Sequence, residues 1–199
     1  MHSSEVDEYK YWLGKVDRDG IQELTNFLFT KTDIETCPAS SKYHSDFDGG
    51  LIHHSLKVLE LLAMLYKQLR ERYFIEEISN QSIILVALTH DLAKLNSYSK
   101  ETCWWKDDNN KWQSYMGYKN IDNELLGHGS KSLSIVQDFI KLNIVEKQSI
   151  LFHMGHYDTN DKQEVMKVFN NNKLAKLLHI ADNLSLVIEE TIDYRNEKK

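Results

Sequence analysis

His90 and Asp91 stand side by side in ALTHDLAKL, residues 87–95, and this stretch follows another apolar run, Ile83-Ile84-Leu85-Val86. Together they read as a helix that is hydrophobic almost all the way round. Burying a carboxylate, an imidazolium or the ammonium of Lys94 costs several kcal/mol unless each has a partner. Adjacent side chains on a helix diverge by about 100°, so His90 and Asp91 meet only at something both reach toward. A cation is the economical candidate.

The chain holds nine histidines, and several fall where a cation would need them. In GGLIHHSLKVLELLAMLY (49–66), His54 shares a helical face with Leu51, Val58, Leu61 and Leu65, whereas His53 shares one with Lys57 and Glu60. His54 therefore points inward, as a core imidazole bonded to a carbonyl or as a ligand. In KLLHIADNLSLVI, Asp182 has Leu178, His179, Ser185 and Leu186 at helical spacing, a mixed face bordering the packing side. Taken alone it reads equally as a boundary aspartate on the surface. His128 opens a helix in LLGHGSKSLSIV, and His153 closes the apolar stretch in SILFHMGHYD. His156, one turn beyond His153, either shares an ion with it or caps the helix end. His2 and His179 read as ordinary, with His179 a neighbour of Asp182 at i,i+3.

Imidazole nitrogens and carboxylate oxygens without thiolates suit Mn, Fe, Co, Ni or Zn, with Mg at an oxygen-rich second position. Separations of 36 residues from His54 to His90 and 91 from Asp91 to Asp182 match no zinc-finger module. A site would be assembled from separate helices of a bundle, which suits a catalytic centre better than a structural one.

The elements that must position these groups follow from the pattern. One proline, eight glycines and apolar residues at three- and four-residue spacing predict an all-α protein. Helices are expected near 4–13, 20–30, 50–72, 75–97, 129–141, 145–156, 161–170 and 173–194. CWWKDDNNKWQSYMGY (103–118) has two aromatic stretches around Asp107-Asp108-Asn109-Asn110 and predicts a β-hairpin insertion. With 199 residues and 41% apolar content, the chain is expected to form one domain over 1–199. Cys37 and Cys103 make no CxxC pair, no apolar run approaches a membrane span, and MHSSEVDEYKYW is polar and acidic, so a cytoplasmic protein with no membrane partner is expected. A net charge of −6 argues against wrapping a long nucleic acid.

The order His54, then His90-Asp91, then Asp182 resembles the HD superfamily of metal-dependent phosphohydrolases, whose pattern is H…HD…D. GGLIHHSL, LTHDLAK, LLGHGSKS, ILFHMGHYD and LLHIADNLS carry the similarity across a core of about residues 36–190. The flank CPASSKYHSDFDGGL looks like a branch with single-domain phage and bacterial hydrolases and, more distantly, the HD domains of bacterial 3′-5′ exoribonucleases. The resemblance implies an HD helical bundle in which His54, His90, Asp91 and Asp182 bind the principal metal. Asp91 would bridge to a second ion, and His128 and His153 fall where two-metal members carry further histidines. Met154 stands where many of those have a second adjacent histidine, which leaves one ion or two open. His156 is an additional candidate. Lys94 matches the lysine of HD-x-x-K and would meet substrate phosphate. His44 is read as a surface loop residue or as part of the site mouth.

By the same resemblance, metal-activated water would attack a phosphoester while the metal and Lys94 neutralise the phosphoryl oxygens. Asp91 would orient that water. The expected substrate is a nucleotide or related small phosphorylated molecule. Trp104, Trp105 and Trp112 are candidates for stacking on a nucleobase, or else pack the hairpin onto the helices. Lys42, Lys106, Lys111 and Lys131 are candidate phosphate contacts or ordinary surface lysines. The alternatives are a 3′-5′ nuclease on short single-stranded nucleic acid, a di-iron oxygenase and a non-catalytic nucleotide-binding regulatory module. The oligomeric state is left open.

Overall fold

The computed structural model describes residues 2–124, 126–158 and 161–191. Among the described residues it is an all-α helical domain with one antiparallel hairpin. The elements are α1 (His2–Leu13), α2 (Ile21–Lys31), α3 (Gly50–Tyr73), α4 (Asn80–Thr89), β1 (Tyr98–Lys106), β2 (Trp112–Asn120), α5 (His128–Gln137), α6 (Ile144–Leu151), α7 (Lys162–Asn171) and α8 (Lys173–Thr191). No helix among the described residues is long and apolar enough to cross a membrane.

The central helix, α3, packs against both α4 and α8, and α6 packs against α8 and α5. Its start depends on Gly49 and Gly50. Gly49 takes a left-handed φ of 82°, and a Cβ on Gly50 would lie 1.9 Å from the Ser45 carbonyl oxygen. Only glycine lets the preceding loop come this close, and the helix begins one turn before His54. Leu51, Val58, Leu61 and Leu62 then fill the core on the side that also carries His54. Every residue of α4 from Ser82 to Thr89 is buried, as its unbroken apolar run predicts. A smaller apolar cluster, Phe152, Val165, Val168, Phe169 and Ala175, joins α7 and α8 to the turn after α6.

Two of the expected helices are corrected. The segment 75–97 is not one helix: residues 75–79 are non-helical, α4 stops at Thr89, and a 3₁₀ turn covers Leu92–Lys94. Tertiary partners replace helical ones here, since the Tyr66 hydroxyl accepts the Ile78 N–H at 2.8 Å and Ser132 Oγ accepts the Ala93 N–H at 3.0 Å. Apolar spacing alone does not distinguish a long helix from a short one followed by a buried turn. Likewise α6 ends at Leu151 and not near 156, and a 3₁₀ turn covers Gly155–Tyr157. Residues 192–194, expected in the last helix, lie outside the described residues.

The hairpin extends beyond 103–118, with Tyr98 paired to Asn120 at its root and Lys106 to Trp112 near its tip. Asp107 shapes the turn by accepting the N–H groups of Asn109 and Lys111. Asp48 anchors the root, accepting from the Tyr118 hydroxyl and the Lys100 ammonium at 2.6 Å each. The outer aromatics do not pack the hairpin onto the helices. Trp104, Trp105 and Trp112 are 63%, 49% and 62% exposed, because the hairpin's contacts lie chiefly between its own two strands.

Candidate metal centre

Five of the six ligands expected from the sequence are drawn together around one carboxylate, Asp91. His90 follows the last residue of α4, and its Nδ1–H donates to the Ala87 carbonyl at 2.8 Å. His153 stands just past α6 and repeats the arrangement, with Nδ1–H donating to the Ile150 carbonyl at 2.7 Å. His54, on α3, meets the Ser185 hydroxyl of α8 through Nδ1 at 3.3 Å, and that hydroxyl donates to the Asp182 carbonyl. Each ring thus commits Nδ1 to a protein oxygen and keeps the Nε2 lone pair for the interior.

The two oxygens of Asp91 face different histidines. Oδ2 lies 3.5 Å from His54 Nε2 and 3.6 Å from His90 Nε2, whereas Oδ1 lies 2.6 Å from His128 Nε2 and 3.3 Å from His153 Nε2. Asp182 completes the first side, its Oδ1 being 3.2 Å from His54 Nε2 and 3.9 Å from His90 Nε2. The ligand atoms form two groups, His54-His90-Asp91 and Asp91-His128-His153, each compact enough to hold an ion. Asp91 belongs to both.

Electrostatics favour a cation in both places. Nε2 of His90 and of His153 are buried without a hydrogen-bond partner among the described residues, a cost that metal coordination removes. Burial pushes the His90 imidazole down to about 4, against the pull of Asp91, so it is neutral and ready to donate. Burial would raise the Asp91 carboxyl, but the Lys94 ammonium, His90, the hydrogen bond from His128 and the nearby His153 ring together hold it well below the usual range. Asp182 is also depressed: burial opposes, while its close approach to His54 and His90 prevails. His153 is raised, its attraction to Asp91 and Asp182 overcoming burial. The negative poles of α4 and α6 add to this, because both helices end at the cluster.

Lys94 sits one 3₁₀ turn beyond Asp91, its Nζ 2.6 Å from Oδ2. Burial would lower this ammonium, but Asp91 raises it, so it stays charged beside the centre. The remaining candidates fall elsewhere. His156 is exposed on the 3₁₀ turn, outside the cluster. Lys131 is engaged by Asp122 at 2.9 Å and Glu124 at 3.0 Å. The three tryptophans stand on the hairpin and do not belong to the cluster. His53 turns away to Glu5, at 2.8 Å.

Several supporting residues escaped the sequence. Ser185 orients His54, and its spacing of three from Asp182 was the available signal. His44, by contrast, was expected either on a surface loop or at the site mouth, and it lies in ring contact with His54, centroids 5.2 Å apart. His179 supports the His153 carbonyl, at 2.6 Å. Asp158 accepts from the backbone of α5, a contact across 30 residues that no local pattern announces.

Comparison with known proteins identifies the family to which the chain belongs. A family model described as HD domain matches residues 51–186. A dihydroneopterin 2′,3′-cyclic phosphate phosphodiesterase of Methanocaldococcus jannaschii is 33% identical over 72 residues, covering 36% of this chain and 28% of that protein. The 3′-5′ exoribonuclease YhaM of Bacillus subtilis is 26% identical over 191 residues, covering 90% of this chain and 52% of that protein. This chain therefore spans about half or less of the curated relatives it matches. No solved structure gives a significant match.

Proposed function

Because the chain belongs to the HD domain family, we propose that it is a metal-dependent phosphohydrolase acting on a phosphoester of a nucleotide or a related small phosphorylated molecule. The observation that carries this reading is Asp91, which turns one oxygen toward His54 and His90 and the other toward His128 and His153. His54, His90, Asp91 and Asp182 would hold one divalent ion, and Asp91, His128 and His153 a second. Divalent ions held there supply Lewis-acid stabilisation of the phosphoryl oxygens and an acidified water as nucleophile.

The chain's own groups do the rest. Asp91, ionised and fixed, orients groups at the shared edge of the two half-sites and does not serve as a proton donor. Lys94 brings a permanent positive charge to the same edge and neutralises the charge that builds on a phosphoryl oxygen. The Nδ1–H bonds to Ala87 and Ile150 keep the rings of His90 and His153 from rotating out of register. Two carboxylates and one ammonium leave this pocket with net negative charge when its imidazoles are neutral, which favours uptake of cations before an anionic substrate arrives.

Cleavage of short single-stranded nucleic acid is the second reading. It is favoured by the extent of the similarity to the exoribonuclease, over 90% of this chain, and by the exposed tryptophans of the hairpin. Metal-free protein reconstituted separately with Mn, Co, Ni, Mg, Zn and Fe, then assayed on mononucleotides, dNTPs, cyclic nucleotides and short oligonucleotides, separates the two. Turnover of a mononucleotide or cyclic nucleotide supports the first reading, and salt-sensitive turnover of oligonucleotides alone supports the second. Absence of phosphoester hydrolysis under every metal would overturn both.

A further inference from the structure

The half-site of Asp91, His128 and His153 contains an electrostatic conflict. His153 follows the negative end of α6, but His128 is the first residue of α5, whose free N–H groups and positive pole face the same place. A positive helix end beside a cation binding position weakens binding there. The residue before α5, Gly127, supplies no side-chain cap.

Asp158 supplies one from outside the helix. Its Oδ1 accepts the N–H of His128 at 2.8 Å and its Oδ2 the N–H of Gly129 at 2.7 Å. Both oxygens are thereby committed to the backbone that carries His128, and the negative charge offsets the helix pole. The same short stretch of chain begins at His153. Its carbonyl accepts His179 Nδ1–H from α8 at 2.6 Å, and Gly155, with φ 57°, packs so closely that a Cβ would lie 2.8 Å from the His179 ring. Residues 153–158 therefore supply one ligand directly and hold the other by its main chain.

We propose that Asp158 is a positioning residue that sets the affinity of the ion held by Asp91, His128 and His153; this rests on the two-ion reading above. The ion held by His54, His90, Asp91 and Asp182 does not depend on it. Outer-shell partners of this kind typically change metal affinity by roughly 10- to 100-fold.

The test is calorimetric titration of the full, metal-free chain with Mn(II), with electron paramagnetic resonance to report whether two ions share a site. His128→Ala identifies which binding step belongs to the second half-site. Asp158→Asn is expected to weaken that step by about tenfold or more and leave the other unmoved. Asp161→Ala is the control, since Asp161 caps α7 by accepting the N–H groups of Gln163 and Glu164 and holds no ligand. It is expected to lower the melting temperature and move neither step. Equal weakening of both steps in Asp158→Asn, or a His128-dependent step left unmoved, overturns the inference alone. Uptake of a single ion by the unaltered chain overturns the two-ion reading and the inference with it. Should Asp158→Asn fail to fold, Asp158→Ser retains one cap oxygen and is read against the same outcomes.

Discussion

The two halves of the centre are built from different material. His54, His90 and Asp182 come from α3, α4 and α8, the helices whose packing forms the main core, and the two histidines are at most 1% exposed. His128 and His153 come from the first residue of α5 and the turn after α6, and the His128 side chain is 26% exposed. Displacing the first half requires disrupting the core. Displacing the second requires only that a helix start and a six-residue turn separate. Asp91 joins them, so one carboxylate couples a rigid half-site to a more exposed one.

The comparison breaks most completely at Asp91. Asp91→Asn is expected to abolish both Mn(II) binding steps and to lower hydrolysis by on the order of 10³-fold, measured by metal content after dialysis and by turnover. A variant that keeps one tight ion would show that the halves do not share this ligand. Lys94→Met is the next largest. It is expected to retain both ions yet lose on the order of 10²-fold in kcat/KM, because the lost charge acts on substrate and not on the metals. Loss of an ion in this variant would assign Lys94 to metal binding instead.

How far each half was legible in the sequence follows the same division. The HD domain and its hairpin were readable from the apolar spacing and from the order of His54, His90-Asp91 and Asp182. His54 stood out from His53 because helical geometry separates their faces by about 100°. What could not be read was the break after Thr89, since an apolar run looks the same whether it continues as helix or turns inside the core. Asp158 and His179 were invisible for another reason: each acts on a main-chain group 26 to 30 residues away, and a backbone amide or carbonyl leaves no mark in the sequence. The exposed tryptophans failed as packing residues because aromatic type indicates strand propensity but not which surface covers the ring.

Glu146 sharpens the comparison from the scaffold side. It is fully buried, accepts from Arg18 at 2.5 and 2.8 Å and from Ser82 of α4 at 2.7 Å, and forms a capping box with Asn143 at the start of α6. It thus fixes α4 to α6, the two helices that deliver His90 and His153. Glu146→Gln is expected to cost about 2 to 3 kcal/mol of stability in urea unfolding, below the range for a fully buried pair because Arg18 is partly exposed to solvent. Burial would raise the Glu146 carboxyl, but the bonds from Arg18, Ser82 and the Asn143 N–H lower it below its ordinary 4.5. Its contribution is therefore present above the unfolded value and lost as pH falls through the depressed folded one. The variant should lack that part of the acid slope; an unchanged slope would mean that Glu146 is not ionised in the fold.

The smallest expected effect separates the halves by pH. His153 is raised above its ordinary 6.5, whereas His90 is lowered to about 4. A protonated imidazole cannot donate to a metal, so proton competition at His153 begins at the higher pH. As pH falls through that raised value, the His128-dependent Mn(II) step should weaken by about tenfold per unit. His90 remains available down to about pH 4, so proton competition at that ring does not weaken the first step over the same interval. The sign reverses in the metal-free protein. There the raised His153 contributes stability that is fully present below the unfolded value near 6.5 and is lost as pH rises through the folded one. Metal-free protein should thus lose a little stability over the range in which the second ion gains affinity. Parallel weakening of the two Mn(II) steps on acidification would show that one coupled titration, shared through Asp91, governs both halves.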